Sequence, residues 1–206
     1  AAVDASQIYL AGHSEGGVHA VHLAGDAGVP LAGLVLLAAP GRRFVDVILG
    51  QLEGKFRAAG LSGADLAAQM DPLRAGFDRL IAGETVDPTE VSEIPPVQQF
   101  FAACAAPAGL PFARELLAFD PVAALARLTL PVLVINGERD IQVSPTLDAT
   151  ALADGARAAG HPDLTLYLAP TANHVFKNEE TPLAALDPAT AGAAYSSAAT
   201  DLATDA

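Results

Sequence analysis

Ile8-Tyr9-Leu10-Ala11-Gly12-His13-Ser14-Glu15-Gly16-Gly17 is the stretch on which the reading of this chain turns. Ile8–Ala11 predicts a short buried strand, Gly12–Gly16 a tight turn with Ser14 at its apex, and Glu15 to about Ala27 a helix. A serine on a sharp strand-to-helix turn holds its hydroxyl clear of the backbone. It also stands at the positive end of the helix, beside amide groups that stabilise a developing negative charge. Glycine has a steric reason here, since a Cβ at position 12 or 16 is expected to collide with the adjoining strand or helix. Gly-X-Ser-X-Gly alone is a common pattern. Its setting between an apolar strand and a helix gives it weight.

Working outward, Val18, Val21 and His22 follow Ser14 at helical spacing, with Gly25 and Gly28 at the expected helix end and Pro30 blocking continuation. Leu31–Ala39 is a near-continuous apolar run of the kind that suits a parallel strand covered on both faces. Strand, helix and strand in so few residues form a βαβ unit of right-handed crossover. Leu130–Gly137 predicts the third strand, Pro145–Ala159 a helix ended by Gly160, and Leu164–Leu168 the fourth strand.

Between the second and third strands lies a different segment. Phe44, Val47, Ile48, Leu52 and Phe56 make one helical stripe; Leu66, Met70, Leu73, Phe77, Leu80 and Ile81 make another, with Ser62 as N-cap. Glu84–Pro96 reads as a polar, proline-bearing loop, Gln98–Cys104 and Phe112–Phe119 as short helices, and Asp120-Pro121 as the start of one more. An insert of this length, about 43–119, exceeds what a crossover needs and is expected to be a helical cap. Cys104 is expected to pack inside it. The chain is expected to carry no internal repeat and no second domain core.

Three side chains then fall at the C-terminal ends of three parallel strands: Ser14, Asp140 and His174. In open α/β sheets that edge is where ligands bind. A serine hydroxyl is a poor nucleophile until a base takes its proton, an imidazole can both take and return one, and a buried carboxylate fixes the imidazole's tautomer. The amide of Glu15 is the expected oxyanion donor, and His13 is expected to line the pocket. Asp148 falls inside a helix, Asp120 reads as an N-cap, His161 sits at the wrong end of its strand, and His19 and His22 read as structural helix residues.

Composition narrows the class of partner. Eleven Lys and Arg stand against 24 Asp and Glu, a formal charge of −13, which opposes nucleic acid or an anionic membrane surface as a partner. The single cysteine excludes an internal disulfide, and no metal site or cofactor is expected. No apolar run reaches the roughly 18 residues that span a bilayer. Cytoplasmic and exported locations both stay open.

The chain resembles the C-terminal portion of a serine α/β-hydrolase of the esterase and serine-aminopeptidase-like (lysophospholipase-like) group. GHSEGG at 12–17, LVLLAAPGR at 34–42, PVLVINGERDIQV at 131–143 and NHVFK at 173–177 carry the resemblance. It implies Ser14 as nucleophile, Asp140 as acid, His174 as base, and Val143 as the apolar residue packed behind the acid loop. It implies an α/β-hydrolase fold, here as a partial parallel sheet with a helical cap insert, forming one domain over 1–206. It also implies covalent catalysis on a small-molecule carboxylic ester, with peptide or thioester cleavage by the same three residues as the alternative. The departures are at the ends. The family places several strands and a second oxyanion donor before the nucleophile strand, where this chain has seven residues, and it closes on a C-terminal helix that Tyr195–Ala206 only begins. The chain is therefore expected to be N-terminally incomplete, with Ile8–Ala11 as an exposed apolar edge prone to pairing with a second copy. An inert fragment that needs a missing half is the expectation from outside the enzyme class.

Overall fold

The computed structural model describes residues 4–26, 30–182 and 185–186. The expected helix end at Ala27 and Gly28, and the closing helix over Tyr195–Ala206, lie outside the described residues. Two compact units make up the chain: Ala1–Arg42 with Asp120–Ala206, and Arg43–Phe119.

The first unit is a four-stranded parallel sheet in the order β1 (Tyr9–His13), β2 (Gly33–Leu37), β3 (Val132–Gly137) and β4 (Leu164–Ala169). Pairing is in register from Leu10↔Leu34 through Leu36↔Val134 to Val134↔Leu166. Among the described residues β1 is an edge strand, with Tyr9 59% exposed. Before it, Asp4 accepts from the amide and hydroxyl of Ser6, and these bonds hold its carboxyl below the usual range.

Helix α1 (Glu15–Asp26) joins β1 to β2. Because the strand order runs steadily across the sheet, right-handed crossovers put every connecting helix of this unit on one face. Leu34, Leu36, Val132 and Val134 are buried, whereas Val35, Leu37, Leu133 and Ile135, pointing the other way, are only half-buried. Among the described residues the apolar run of β2 is therefore buried on one face and half-buried on the other, where cover on both was expected. The run itself is also shorter than Leu31–Ala39, because Ala38 turns into the left-handed region at φ 46°.

The second unit is wholly helical among its described elements: α2 (Phe44–Ala58), α3 (Gly63–Ala82), α4 (Pro88–Val91), α5 (Pro95–Ala105) and α6 (Leu110–Ala118). Leu66, Met70, Leu73, Phe77 and Leu80 form the buried stripe of α3, and on α2 Val45 and Leu49 join Phe56 in the core. Phe77 and Phe101 meet with ring centroids 4.7 Å apart. Ser62 occupies the N-cap position but makes no side-chain cap bond. The expected loop over Glu84–Pro96 contains α4, which Asp87 caps by accepting from the amide and hydroxyl of Thr89. Cys104 packs partly against this core, and burial pushes its thiol pKa up.

The chain returns to the sheet through α7 (Pro121–Leu125), where Asp120 accepts from the amide of Ala123. After β3, the expected helix over Pro145–Ala159 divides. Pro145–Thr150 is a π-helical turn, in which the Thr150 hydroxyl donates to the Pro145 carbonyl at 2.9 Å, and α8 (Ala151–Ala158) follows. Gly160, at φ 92°, closes it. Helix α7 packs between α1 and α8, consistent with a single covered face. No helix of the described residues is long and apolar enough to cross a membrane.

The glycine reading needs one correction. A Cβ on Gly12 would run into the Gly16 carbonyl, and one on Gly17 into the Ala39 side chain, but a Cβ on Gly16 would meet nothing within 4 Å. Gly16 contributes the carbonyl that crowds Gly12; its own α-carbon faces open space. Gly12→Ala is therefore expected to cost about 2 kcal/mol of unfolding free energy or more, as overpacking does. Gly16→Ala is expected to add about 0.5 kcal/mol by stiffening the unfolded chain. Paired urea denaturation curves of the two variants check this.

Candidate active site

The site is built at the turn after β1. Ser14 has φ 55°, a left-handed conformation unusual for a residue with a side chain. Its amide donates to the Leu37 carbonyl at 2.8 Å, and its carbonyl accepts from the Gly17 amide at 2.9 Å. The first bond pins the turn to the end of β2; the second starts α1. Together they hold a backbone that costs about 1–3 kcal/mol to maintain.

Strand β3 delivers Asp140, which is 1% exposed. One carboxylate oxygen accepts from the amides of Gln142 and Val143, at 2.8 and 2.9 Å. The other faces Nδ1 of His174 at 2.8 Å. Buried Asn136 braces the loop by donating to the Val143 carbonyl at 3.2 Å, and the Val143 side chain is itself buried.

Strand β4 leads into the loop that carries His174, which is 5% exposed. Asn173 shapes that loop: its Oδ1 accepts from the amides of Val175 and Lys177, and its own amide donates to the Lys177 carbonyl. Phe176 takes φ 57° at the reversal. The Arg139 amide donates to the Ala172 carbonyl at 3.0 Å, tying the loop after β3 to the loop after β4.

These elements converge on a continuous chain of hydrogen bonds. Nε2 of His174 lies 3.0 Å from Oγ of Ser14, and Nδ1 lies 2.8 Å from Asp140. An ionised carboxylate only accepts, so Nδ1 carries the imidazole proton. Nε2 is then the free acceptor, and the Ser14 hydroxyl donates to it. The arrangement can withdraw a proton from Ser14 and hold the resulting imidazolium against a buried carboxylate.

The remaining expected site residues fall as follows. Glu15 opens α1, so its amide is one of those that lack an intrahelical acceptor. Its carboxylate points away along the helix to Nε2 of His19 at 3.1 Å. His13 reaches the loop that carries His174: its Nε2 lies 2.7 Å from the backbone carbonyl of His174. His161 lies before β4 and is buried; its Nδ1 accepts from the Asp163 amide.

Sequence reading missed one buried pair. Asp148, fully buried, accepts from the amides of Gly41, Arg42 and Ser144 and pairs with the Arg42 guanidinium at 2.8 Å. It fastens the segment after β2 to the segment after the Asp140 loop. The two partners are 106 positions apart, so no local spacing signals the pair.

No protein-family model and no curated protein matches the chain. Solved structures do. A hydrolase from Pseudomonas aeruginosa PA01 matches at 20% identity and a TM-score of 0.43, over 83% of this chain and 59% of its own length. MGS-M2, an alpha/beta hydrolase enzyme from a Medee basin deep-sea metagenome library, matches at 12% and 0.44, over 83% and 59%. The proline iminopeptidase of Mycobacterium smegmatis matches at 19% and 0.40, over 79% and 57%. The chain thus spans less than two thirds of the length of each. On its own strand order, its left-handed serine turn and the strand ends that carry Asp140 and His174, the fold is that of an α/β-hydrolase.

Asp148→Asn is expected to lower the free energy of unfolding by about 3 kcal/mol, because it leaves Arg42 without its charged partner and buried donors under-satisfied. Chemical denaturation of the variant against the parent measures it.

Proposed function

We propose that this chain carries the catalytic residues of a serine hydrolase that cleaves carboxylic esters through a covalent acyl-enzyme. The hydrogen-bond chain Ser14–His174–Asp140, at 3.0 and 2.8 Å, is the observation that carries the proposal. Oγ of Ser14 attacks the ester carbonyl as its proton passes to Nε2 of His174. Asp140 keeps the ring oriented and stabilises the imidazolium. The Glu15 amide donates to the oxyanion of the tetrahedral intermediate. Collapse of that intermediate expels the alcohol, which takes the proton from Nε2. Water then attacks the acyl group with His174 again as base, and the acid leaves.

Two features support this division of labour. The oxyanion donor comes from the same turn that raises the nucleophile, so the attacked carbonyl meets both at once. Burial of the carboxylate strengthens its grip on the imidazolium, since a low local dielectric magnifies the interaction.

The test is hydrolysis of p-nitrophenyl esters, with matching amide and thioester substrates in parallel. Ester turnover is expected, with Ser14→Ala abolishing it. Asp140→Asn is expected to lower kcat by about 10⁴, the loss seen when the orienting carboxylate of such a triad is neutralised. Unchanged ester hydrolysis by Ser14→Ala would sink the proposal.

A further inference from the structure

We propose that His13, the residue immediately before Ser14, is a positioning residue that holds the His174 loop against the nucleophile turn; this inference rests on the function proposed above. Residues on either side of a tight turn's apex point away from it. His13 uses that divergence. Its ring leaves β1 and reaches the backbone carbonyl of His174, 161 positions away in sequence, at 2.7 Å. A carbonyl oxygen only accepts, so Nε2 of His13 bears a proton and donates. The distance is at the short end for an N–H···O bond. The two imidazoles pack at a tilt of 47° with centroids 4.9 Å apart, and the Phe176 ring stands 6.2 Å from the His13 ring on an edge.

The bond matters because of what the other loop bonds do. Asn173 gathers amides from Val175 and Lys177, and Phe176 donates back to the Asn173 carbonyl. Those bonds give the loop its shape, but every one begins and ends within 173–177. The Ala172 carbonyl ties the loop to Arg139 and so to the acid side. The contact between His174 Nε2 and Ser14 Oγ joins loop to turn, but that bond is remade at each proton transfer. His13 joins loop backbone to turn without passing through the reacting atoms. It fixes the main chain of the very residue whose ring must stay 3.0 Å from Oγ. A displacement of about 1 Å in such a pair can cost on the order of 10²-fold in rate.

The consequence is a division between the two histidines on the two sides of the serine. His174 moves the proton. His13 sets the distance over which it moves. A side chain at position 13 needs a donor at the reach of Nε2. Gln supplies one, Leu has none, and Asn is polar but too short.

The experiment compares His13→Leu, His13→Asn and His13→Gln with the parent in the full chain. One readout is the saturation kinetics of Ser14 labelling by a fluorophosphonate. The other is the proton NMR signal of His174 Nδ1–H, assigned by its loss in Asp140→Asn. His13→Leu and His13→Asn are expected to lower the limiting labelling rate by about 10- to 100-fold. Half-saturation should be unchanged, and the Nδ1–H signal should broaden through faster exchange. His13→Gln is expected to restore both. Parent-like labelling and a parent-like proton signal in folded His13→Leu and His13→Asn would overturn the inference while leaving the proposed function intact. A parent that fails to label at Ser14 counts against the proposed function, and the Nδ1–H comparison then decides the role of His13 alone.

Discussion

The structure depends on a backbone held in the left-handed region at Ser14. A residue with a side chain resists that conformation, and three neighbours enforce it. The Leu37 carbonyl takes its amide, the Gly17 amide takes its carbonyl, and Gly12 lacks the Cβ that would strike the Gly16 carbonyl. With the turn fixed, one short segment supplies a raised hydroxyl, a helix-start amide beside it and an imidazole pointing the other way. Each of these goes to a different element of the site.

The rest of the first unit brings the partners to that turn. A parallel sheet puts the C-terminal ends of β1, β3 and β4 on one edge, so residues far apart in sequence meet there. The loops that leave the strand ends are tied to one another through backbone groups: the Arg139 amide to the Ala172 carbonyl, the Gly41 and Arg42 amides to the Asp148 carboxylate, and His13 to the carbonyl of His174. Buried Asp148, with Arg42 across from it, does for the acid side what Asn173 does for the histidine loop. Ties of this kind hold the side chains at the strand ends in fixed positions.

Much of this was legible in the sequence, and the reasons are local. Apolar runs such as Val132–Ile135 announce strands, Gly12 announces a crowded turn, and Asp120-Pro121 announces a helix start. Ser14, Asp140 and His174 stand out because each follows a strand. The illegible parts are the long-range ones. Neither the Arg42–Asp148 pair nor the reach of His13 leaves a periodic trace. That the connecting helices among the described residues lie on one face follows from strand order, which the run Leu31–Ala39 does not reveal. The π-helical turn at Pro145–Thr150 has a local cause in the Thr150 hydroxyl, but threonine in a helical pattern reads equally well as ordinary α-helix.

The central claim is that Ser14 is made nucleophilic by His174 and Asp140. Intact-protein and peptide mass spectrometry after incubation with diisopropyl fluorophosphate tests it most directly. The account predicts a single phosphoryl adduct on the peptide that contains Ser14, absent when the protein carries His174→Ala. An adduct elsewhere, or one on Ser14 that forms equally fast without His174, would contradict it.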